Sequence, residues 1–555
     1  MTTQTQSPHW IDTLVDEIIE WQKKHQVKKL HVDDMKTPSG RVHVGSLRGV
    51  VLHDLIAKVL ATKTTQPVTS TYVFNDLDGM TKIPSYLDSK KYQPYLDKPL
   101  CQIPAPQITQ SGIDTNHIPD QEKKKLQEAD SYAQLYAYDF IHAFRYLGCS
   151  QEIVWSHHLY ESGQMNQVIQ TSLDQTQVIK DIYTKVAEYD LPKNWYPFKP
   201  FDQDLKSKKT STQAWDGKNV EAVSYDQDGH ELKRFSLSPF DGSGKLMWKV
   251  DWPAHWQVMG VTIEGSGKDH TSAGGSRDMA NAFCKQVFNS MIPFDIPYEW
   301  ILVRGAKMSS SKGVGTSARE FVQLFPPAVG RFLFTNKHFN QVIDFDPATM
   351  AIPDLFDDYD QAAQIFWGQA SGDQRLARSF ELAQVGPVPQ PLFLPRYRDL
   401  AVWMQYPEKD LETEFTKIKG SPLTKQEIAE LEIRKKHAQV WLDNYAPSEF
   451  QLTPKADTVV DSTSLTADQK EFVIWTINQV LEKKWLDPQE LQQAIFTQSK
   501  TSIGPKLAFT SIYQVLLGKT HGPRAAWLLL NTPQEILINC QNQLSANLSQ
   551  TKKNY

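Results

Sequence analysis

Paired cysteines, membrane-length apolar runs and a strong charge of either sign are all missing from this 555-residue chain, and each absence removes a class of protein. The four cysteines, Cys101, Cys149, Cys284 and Cys540, form no C-x-x-C pair, so they read as buried or incidental thiols rather than disulfide or zinc ligands. No stretch reaches the roughly 20 apolar residues that span a bilayer, and Met1 to Trp10 is polar, without the apolar core of a signal peptide. A cytoplasmic protein is expected. The formal net charge of -5 gives no global pull towards nucleic acid, so any RNA contact must come from local basic surface. The better-known nucleotide fingerprints are absent too. There is no G-x-x-x-x-G-K-[ST], and Gly265-Ser266-Gly267-Lys268-Asp269-His270 has the wrong spacing for a dinucleotide turn.

What is present is ordinary soluble composition, 40% hydrophobic and 22% charged, in a chain long enough for several domains. The opening region alternates helix and strand patterns: a helix over Ile11 to His25, a strand over Lys29 to Val32, a helix over Leu47 to Ala61, and a strand over Val68 to Phe74. This βαβ rhythm predicts a parallel sheet with ligands at the strand carboxyl ends, where Asp76 and Asp78 sit. A polar excursion from Ser85 to about Lys125, a helix over Ser131 to Leu147, and a polar stretch with hairpin signals at Asp216-Gly217 and Asp228-Gly229 interrupt that fold. Strands return at Gly260 to Glu264 and Ile296 to Val303, flanking a helix from Arg277 to Val287. After Ser317 the apolar spacing is helical, as in Asp360 to Trp367, Ala438 to Asn444, Lys470 to Leu481, Leu491 to Phe496 and Phe509 to Leu517.

Two distant stretches carry the chemistry. Pro38-Ser39-Gly40-Arg41-Val42-His43-Val44-Gly45-Ser46 places a small turn between a strand and a helix, aiming backbone N–H groups and a helix N-terminus at an anion. Lys307-Met308-Ser309-Ser310-Ser311-Lys312-Gly313 offers two ammonium groups on a loop able to close over a nucleotide. Either alone reads equally as a turn or a solvated loop; together, in this order, they point to an ATP site that activates a carboxylate.

The pair resembles the HIGH and KMSKS motifs of the class I aminoacyl-tRNA synthetases. Longer matches narrow the resemblance to the class I lysyl-tRNA synthetases: Phe74 to Pro84, Met247 to Pro253, Gly267 to Ser276, Ile296 to Trp300, then Ile343 to Asp346, Trp441 to Pro447 and Tyr513 to Arg524. That resemblance implies an α/β Rossmann-type catalytic domain over 1–316 with an insertion at about 85–240, a stem-contact connector over 317–350, and an all-α anticodon-binding domain over 351–555. It implies formation of lysyl-adenylate from L-lysine and ATP with Mg²⁺, then transfer of lysine to tRNA(Lys), by a monomer without a membrane partner.

By the same resemblance His43 and Ser46 contact the phosphates, and Lys307 and Lys312 stabilise charge as pyrophosphate leaves. Pro38, Ser39, Gly40, Gly45, Gly267, Met308, Ser309 and Ser311 surround ATP, with Asp269 towards its ribose. Trp248, His270 and Tyr298 line the lysine pocket. Its carboxylate is Asp76 or Asp78, with Asp33 and Asp34 as further candidates; any of them reads equally as a cap or a surface charge. No protein ligand is expected for the metal. Trp441, Tyr445 and Arg524 are candidate anticodon contacts. Asp33 to Thr37 departs from the small-residue run usual in the family, and the cysteine pairs that bind zinc in many relatives are missing, so no structural zinc is expected. A glutamyl-type class I synthetase and a non-catalytic tRNA-binding paralogue are the alternatives; the aromatic, acid-rich pocket argues against the first and intact His43, Lys307 and Lys312 against the second.

Overall fold

The structure, a computed structural model, describes residues 8–116, 118–202, 209–226, 228–303, 316–406, 408–447, 450–452, 464–485 and 487–551. The chain divides into two compact units, one of residues up to Asp346 with Asp358–Gln390, the other of Pro347–Asp357 with the residues from Pro391 onward.

The first unit is built on a five-stranded parallel sheet. Its strands are β1 (Leu30–Lys36), β2 (Val68–Phe74), β3 (Glu152–Trp155), β4 (Ile263–Gly267) and β5 (Phe294–Tyr298), in the order β5-β4-β1-β2-β3. β1 and β2 pair in register from Leu30 opposite Val68 to Lys36 opposite Phe74, and β5 runs along β4 up to Tyr298 opposite Gly267. The chain order reverses between β1 and β4. In a doubly wound sheet this is the switch point, where a crevice opens beyond the strand carboxyl ends. That edge carries Lys36, Phe74, Trp155, Gly267 and Tyr298.

Helix α1 (Trp10–Lys24) precedes the sheet, α2 (Leu47–Lys63) follows β1, and α3 (Tyr132–Tyr146) leads towards β3. Helix α4 (Trp248–Met259) ends at Gly260, whose positive φ of 66° closes the helix in a left-handed cap, and enters β4. Successive residues of a strand face opposite sides, and β1 shows which helix covers each. Asp34 approaches His53 of α2 at 3.6 Å, whereas His31, on the Asp33 side, bonds the Met259 carbonyl at the end of α4 at 3.0 Å. The sheet therefore lies between α2 and α4.

Three strand expectations need correction. β1 continues four residues past Val32 because Asp33 to Lys36 pair fully with β2, although Asp33 and Asp34 are buried carboxyls that break the apolar pattern. β4 starts at Ile263, since Gly260 is a helix cap rather than a strand residue. The expected strand over Ile296 to Val303 is two pieces, because after Tyr298 the chain leaves β4 and Ile301–Leu302 pairs instead with Ile343–Asp344. Both hairpin signals are realised: Lys209–Trp215, Val220–Tyr225 and Glu231–Leu237 form an antiparallel sheet turning at Gly217 and Gly229, where φ is 93° and 89°.

In the second unit helices fill Lys425–Asn444, Ala467–Glu482, Pro488–Thr501, Pro505–Leu517, Ala525–Asn531 and Gln534–Thr551. Thr424 with Glu427 and Thr466 with Gln469 form capping boxes that fix two of the starts. Phe472, Ile477, Leu491, Ile512, Leu516 and Leu537 meet in a core shared by the helices from Ala467 onward. Among the described residues no helix is long and apolar enough to cross a membrane.

Candidate active site

The turn after β1 is held from several sides. Gly40 takes a φ of 146° that side chains rarely adopt, the Tyr132 hydroxyl donates to the Ser39 carbonyl (3.0 Å), and the Arg41 N–H donates to the Tyr86 hydroxyl (2.8 Å). Val44 to Ser46 form a single 3₁₀ turn that runs into α2, leaving Gly45 and Ser46 partly exposed at its start. His43 pairs as an isolated bridge with Ser317, and the Val44 N–H donates to the Thr316 carbonyl (3.0 Å). Lys307, Met308, Ser309, Ser311 and Lys312 lie outside the described residues. Beyond them, Thr316 to Ala318 lie beside the first motif, the Ala318 N–H donating to the Val42 carbonyl (2.8 Å).

Beneath the turn, Gly49 of α2 is required by close approach. A Cβ there would lie 2.7 Å from the Tyr298 hydroxyl and 2.8 Å from Asp34 Oδ2. His53 donates from Nδ1 to the Gly49 carbonyl (2.7 Å) and accepts at Nε2 from the Gly265 N–H (2.8 Å), which fixes it as a neutral imidazole. Its neighbour Asp34 is thus not compensated by a cation there, and burial pushes the Asp34 carboxyl up to about 7.

The α4 side of the sheet holds a second acidic pair. Glu264 accepts from the Trp252 indole (2.7 Å) and from that of Trp256; burial raises both Asp33 and Glu264, helped by repulsion from Glu264 at Asp33 and from Asp34 at Glu264. The Thr71 hydroxyl sits between Asp33 Oδ1 and His31 Nε2. It has one proton. That proton goes to Asp33, while His31 meets the same hydroxyl at Nε2 and the Met259 carbonyl at Nδ1 (3.0 Å).

Asp34 titrates against stability. Between its unfolded pKa near ~4 and its folded value of about 7, the native state keeps a proton that the unfolded chain has lost, so its contribution is full below that window and disappears as pH rises through it. Asp34→Asn, which still accepts from the Met35 N–H, is expected to match the parent at pH 3 and exceed it by up to about 1.4 kcal/mol per unit of that shift at pH 8.5. Urea unfolding at the two pH values checks this; a pH-independent difference would refute it.

Among the residues expected to bind lysine, Trp248 and His270 come together. Their rings meet edge to face at 6.3 Å, with Trp252 behind His270 at 5.8 Å, and Trp248 is 49% exposed, an unusual state for an indole. Tyr298 lies on the other side of the sheet, beside Gly49, Asp34 and His53. Gly267 and Asp269 stand at the end of β4, where Asp269 Oδ1 accepts from the Trp300 indole (3.4 Å).

Asp76 and Asp78 stand at the end of β2, each engaged by protein donors. Asp76 is buried and accepts from the His157 N–H (3.0 Å) and from the His157 ring. Asp78 accepts from Thr37 and from Lys245, whose ammonium also meets Asp251 at 3.0 Å. Lys245 and Asp251 are buried; each holds the other charged, raising the lysine pKa and depressing that of the aspartate. Sequence reasoning missed Lys245, Asp251, His157 and Glu264. The burial of a charged residue next to another has no local pattern; only the fold brings Lys245 to Asp78.

The family model described as "tRNA synthetases class I (K)" matches residues 8–386, more than half of the chain. The chain belongs to the class I lysyl-tRNA synthetases. Within that family it is 27% identical to a lysine–tRNA ligase of Archaeoglobus fulgidus, over 94% of this chain and 97% of that one. It is 27% identical to that of Methanosphaera stadtmanae, over 96% and 98%. Among solved structures it is similar to a glutamate tRNA ligase from Elizabethkingia meningosepticum, with a TM-score of 0.35 and 12% identity over 94% of this chain and 100% of that one.

Proposed function

We propose that the protein activates L-lysine with ATP and passes the lysyl group to tRNA(Lys). The carrying observation is that the His43 turn and the chain leaving the Lys307–Lys312 loop are bonded to each other at the carboxyl edge of a parallel sheet, directly above its switch point. The lysine carboxylate attacks the α-phosphate, the bond to pyrophosphate breaks, and the protein's share is positioning and charge neutralisation.

In this reading His43 and Ser46, with the backbone around Pro38, Ser39, Gly40 and Gly45, receive the phosphates. Lys307 and Lys312 neutralise the leaving pyrophosphate together with Mg²⁺ held by ATP, while Met308, Ser309 and Ser311 shape the closing loop. Gly267 gives the nucleotide close approach and Asp269 accepts from the ribose. Trp248 and His270 wall the methylenes, an aromatic face attracting the ammonium as well, and Tyr298 bounds the pocket from the α2 side. The carboxylate that meets the ammonium at the end of β2 is Asp78 or Asp76, and with Asp76 otherwise engaged Asp78 is the one left to do so. The catalytic domain is assigned to 1–316 with its insertion at about 85–240, the acceptor-stem connector to 317–350, and anticodon binding to the helices of 351–555, in a cytoplasmic monomer.

Asp78→Asn is expected to raise the KM for lysine about tenfold or more with little change in the KM for ATP, as removal of one charged partner costs about 1.5–3 kcal/mol. Steady-state pyrophosphate exchange with each substrate varied separates the two. An unchanged lysine KM in both Asp78→Asn and Asp76→Asn removes these carboxylates from the pocket.

A further inference from the structure

Three side chains far apart in sequence converge at the base of the first insertion. Asp76 ends β2, His157 opens the helix Ser156–Glu161 after β3, and Cys101 lies in the 3₁₀ turn Leu100–Gln102. One potential ligand atom from each lies within 4.8 Å of the other two. The backbone holds them there. The Cys101 N–H donates to the Asp76 carbonyl (2.9 Å), the Leu100 N–H to the Asp78 carbonyl (2.9 Å), the Met80 N–H to the Lys98 carbonyl (2.9 Å) and the Asp97 N–H to the Met80 carbonyl (2.9 Å). His157 is fixed from the other side through its own N–H to Asp76 Oδ1. Asp76 is buried, and Cys101 and His157 are half-buried, so the group is screened from bulk water yet open on one side.

From this we propose that Asp76, Cys101 and His157 form a zinc site, which pins the insertion to the ends of β2 and β3. A thiolate, an imidazole and a carboxylate are the donors that borderline-soft Zn²⁺ takes in tetrahedral sites, and hard cations such as Mg²⁺ do not select sulfur. Two anionic ligands balance the ion's charge, and binding releases the thiol proton to solvent as the Zn–S bond forms. The ion would take the place of the direct contact between Asp76 and the His157 ring, leaving the fourth position to water or to the nearby Glu161 carboxylate. C-x-x-C spacing does not reveal such a set, because its members come from three separate segments. The exposed trio Asp226, Asp228 and His230 is the other such cluster among the described residues; there Asp226 Oδ1 already accepts the N–H groups of Asp228 and His230, an ordinary turn.

Cobalt substitution of the full-length, tag-free protein tests the site without reference to lysine or ATP, so its outcome is separable from that of the activity proposed above. After chelation, one equivalent of Co²⁺ is expected to give a thiolate-to-cobalt charge-transfer band and tetrahedral d–d absorption. Cys101→Ser should abolish the band, His157→Ala should weaken binding at least about tenfold, and His230→Ala should change neither. Absence of the band from the parent protein, or its persistence in Cys101→Ser, would overturn the site. Matching circular dichroism of the metal-free variants and parent keeps a folding defect from imitating loss of a ligand.

Discussion

Lys245→Met is expected to lower the free energy of unfolding by about 3–5 kcal/mol, the largest stability effect of any single change considered for this protein. Lys245 is buried between Asp78 and Asp251, and methionine would keep its length while leaving both carboxylates without their ammonium. Asp251 still accepts from the Tyr160 hydroxyl and meets His255, but neither is a permanent charge. The pH dependence identifies the cause. The depressed Asp251 contributes stability that is present above its unfolded pKa near ~4 and lost as pH falls through its folded value. The raised Lys245 contributes stability that is full below about 10.5 and lost only as pH climbs beyond it. The parent and Lys245→Met should therefore differ most across neutral pH and converge in acid. Denaturant melts from pH 3 to 8 measure this, and a variant as stable as the parent at pH 7 would show that the triad contributes nothing.

Lys312→Ala is expected to slow lysine-dependent pyrophosphate exchange by about 10²–10³-fold while leaving the fold intact, the range typical of removing one group that stabilises developing charge. The proposed role is confined to the step in which negative charge builds on the departing pyrophosphate, so kcat should fall more than the KM for lysine rises. Lys312→Arg keeps the charge but not the shape of the ammonium and should recover only part of the loss. A Lys312→Ala protein with parental kcat would transfer the role to other residues. A large rise in lysine KM alone would instead move Lys312 into the amino-acid pocket.

The fold was legible where local chemistry and tertiary need agree. Val68–Phe74 is rich in β-branched and aromatic residues and followed by Asn75, and the strand has those bounds. Asp216-Gly217 and Asp228-Gly229 demand positive φ at glycine, so the hairpins followed from residue type alone. The misreadings fall where the fold overrides composition. Asp33 and Asp34 look like the end of a strand, yet sheet pairing carries them into its interior, where burial raises both carboxyls towards the neutral form. Gly260 looks like part of a strand because Val261 to Ile263 are β-branched, but its left-handed φ serves the helix before it.

The candidate site divides along the same line. Motif residues such as His43 were visible because a strand-turn-helix junction is a local object. Lys245, Asp251, His157 and Glu264 were not, since each matters only through a partner that the topology supplies: Lys245 reaches Asp78 across 167 positions of sequence, and His157 reaches Asp76 across 81. The division of Trp248 and His270 from Tyr298 by the sheet is also a property of strand alternation at β4 and β5, which spacing between motifs does not encode.

Amino-acid-dependent pyrophosphate exchange, run with each amino acid in turn, first without and then with tRNA, tests the central claim most directly. The account predicts exchange with lysine and none above background with glutamate or arginine. Exchange driven by another amino acid, or none with lysine even when tRNA is present, would contradict it.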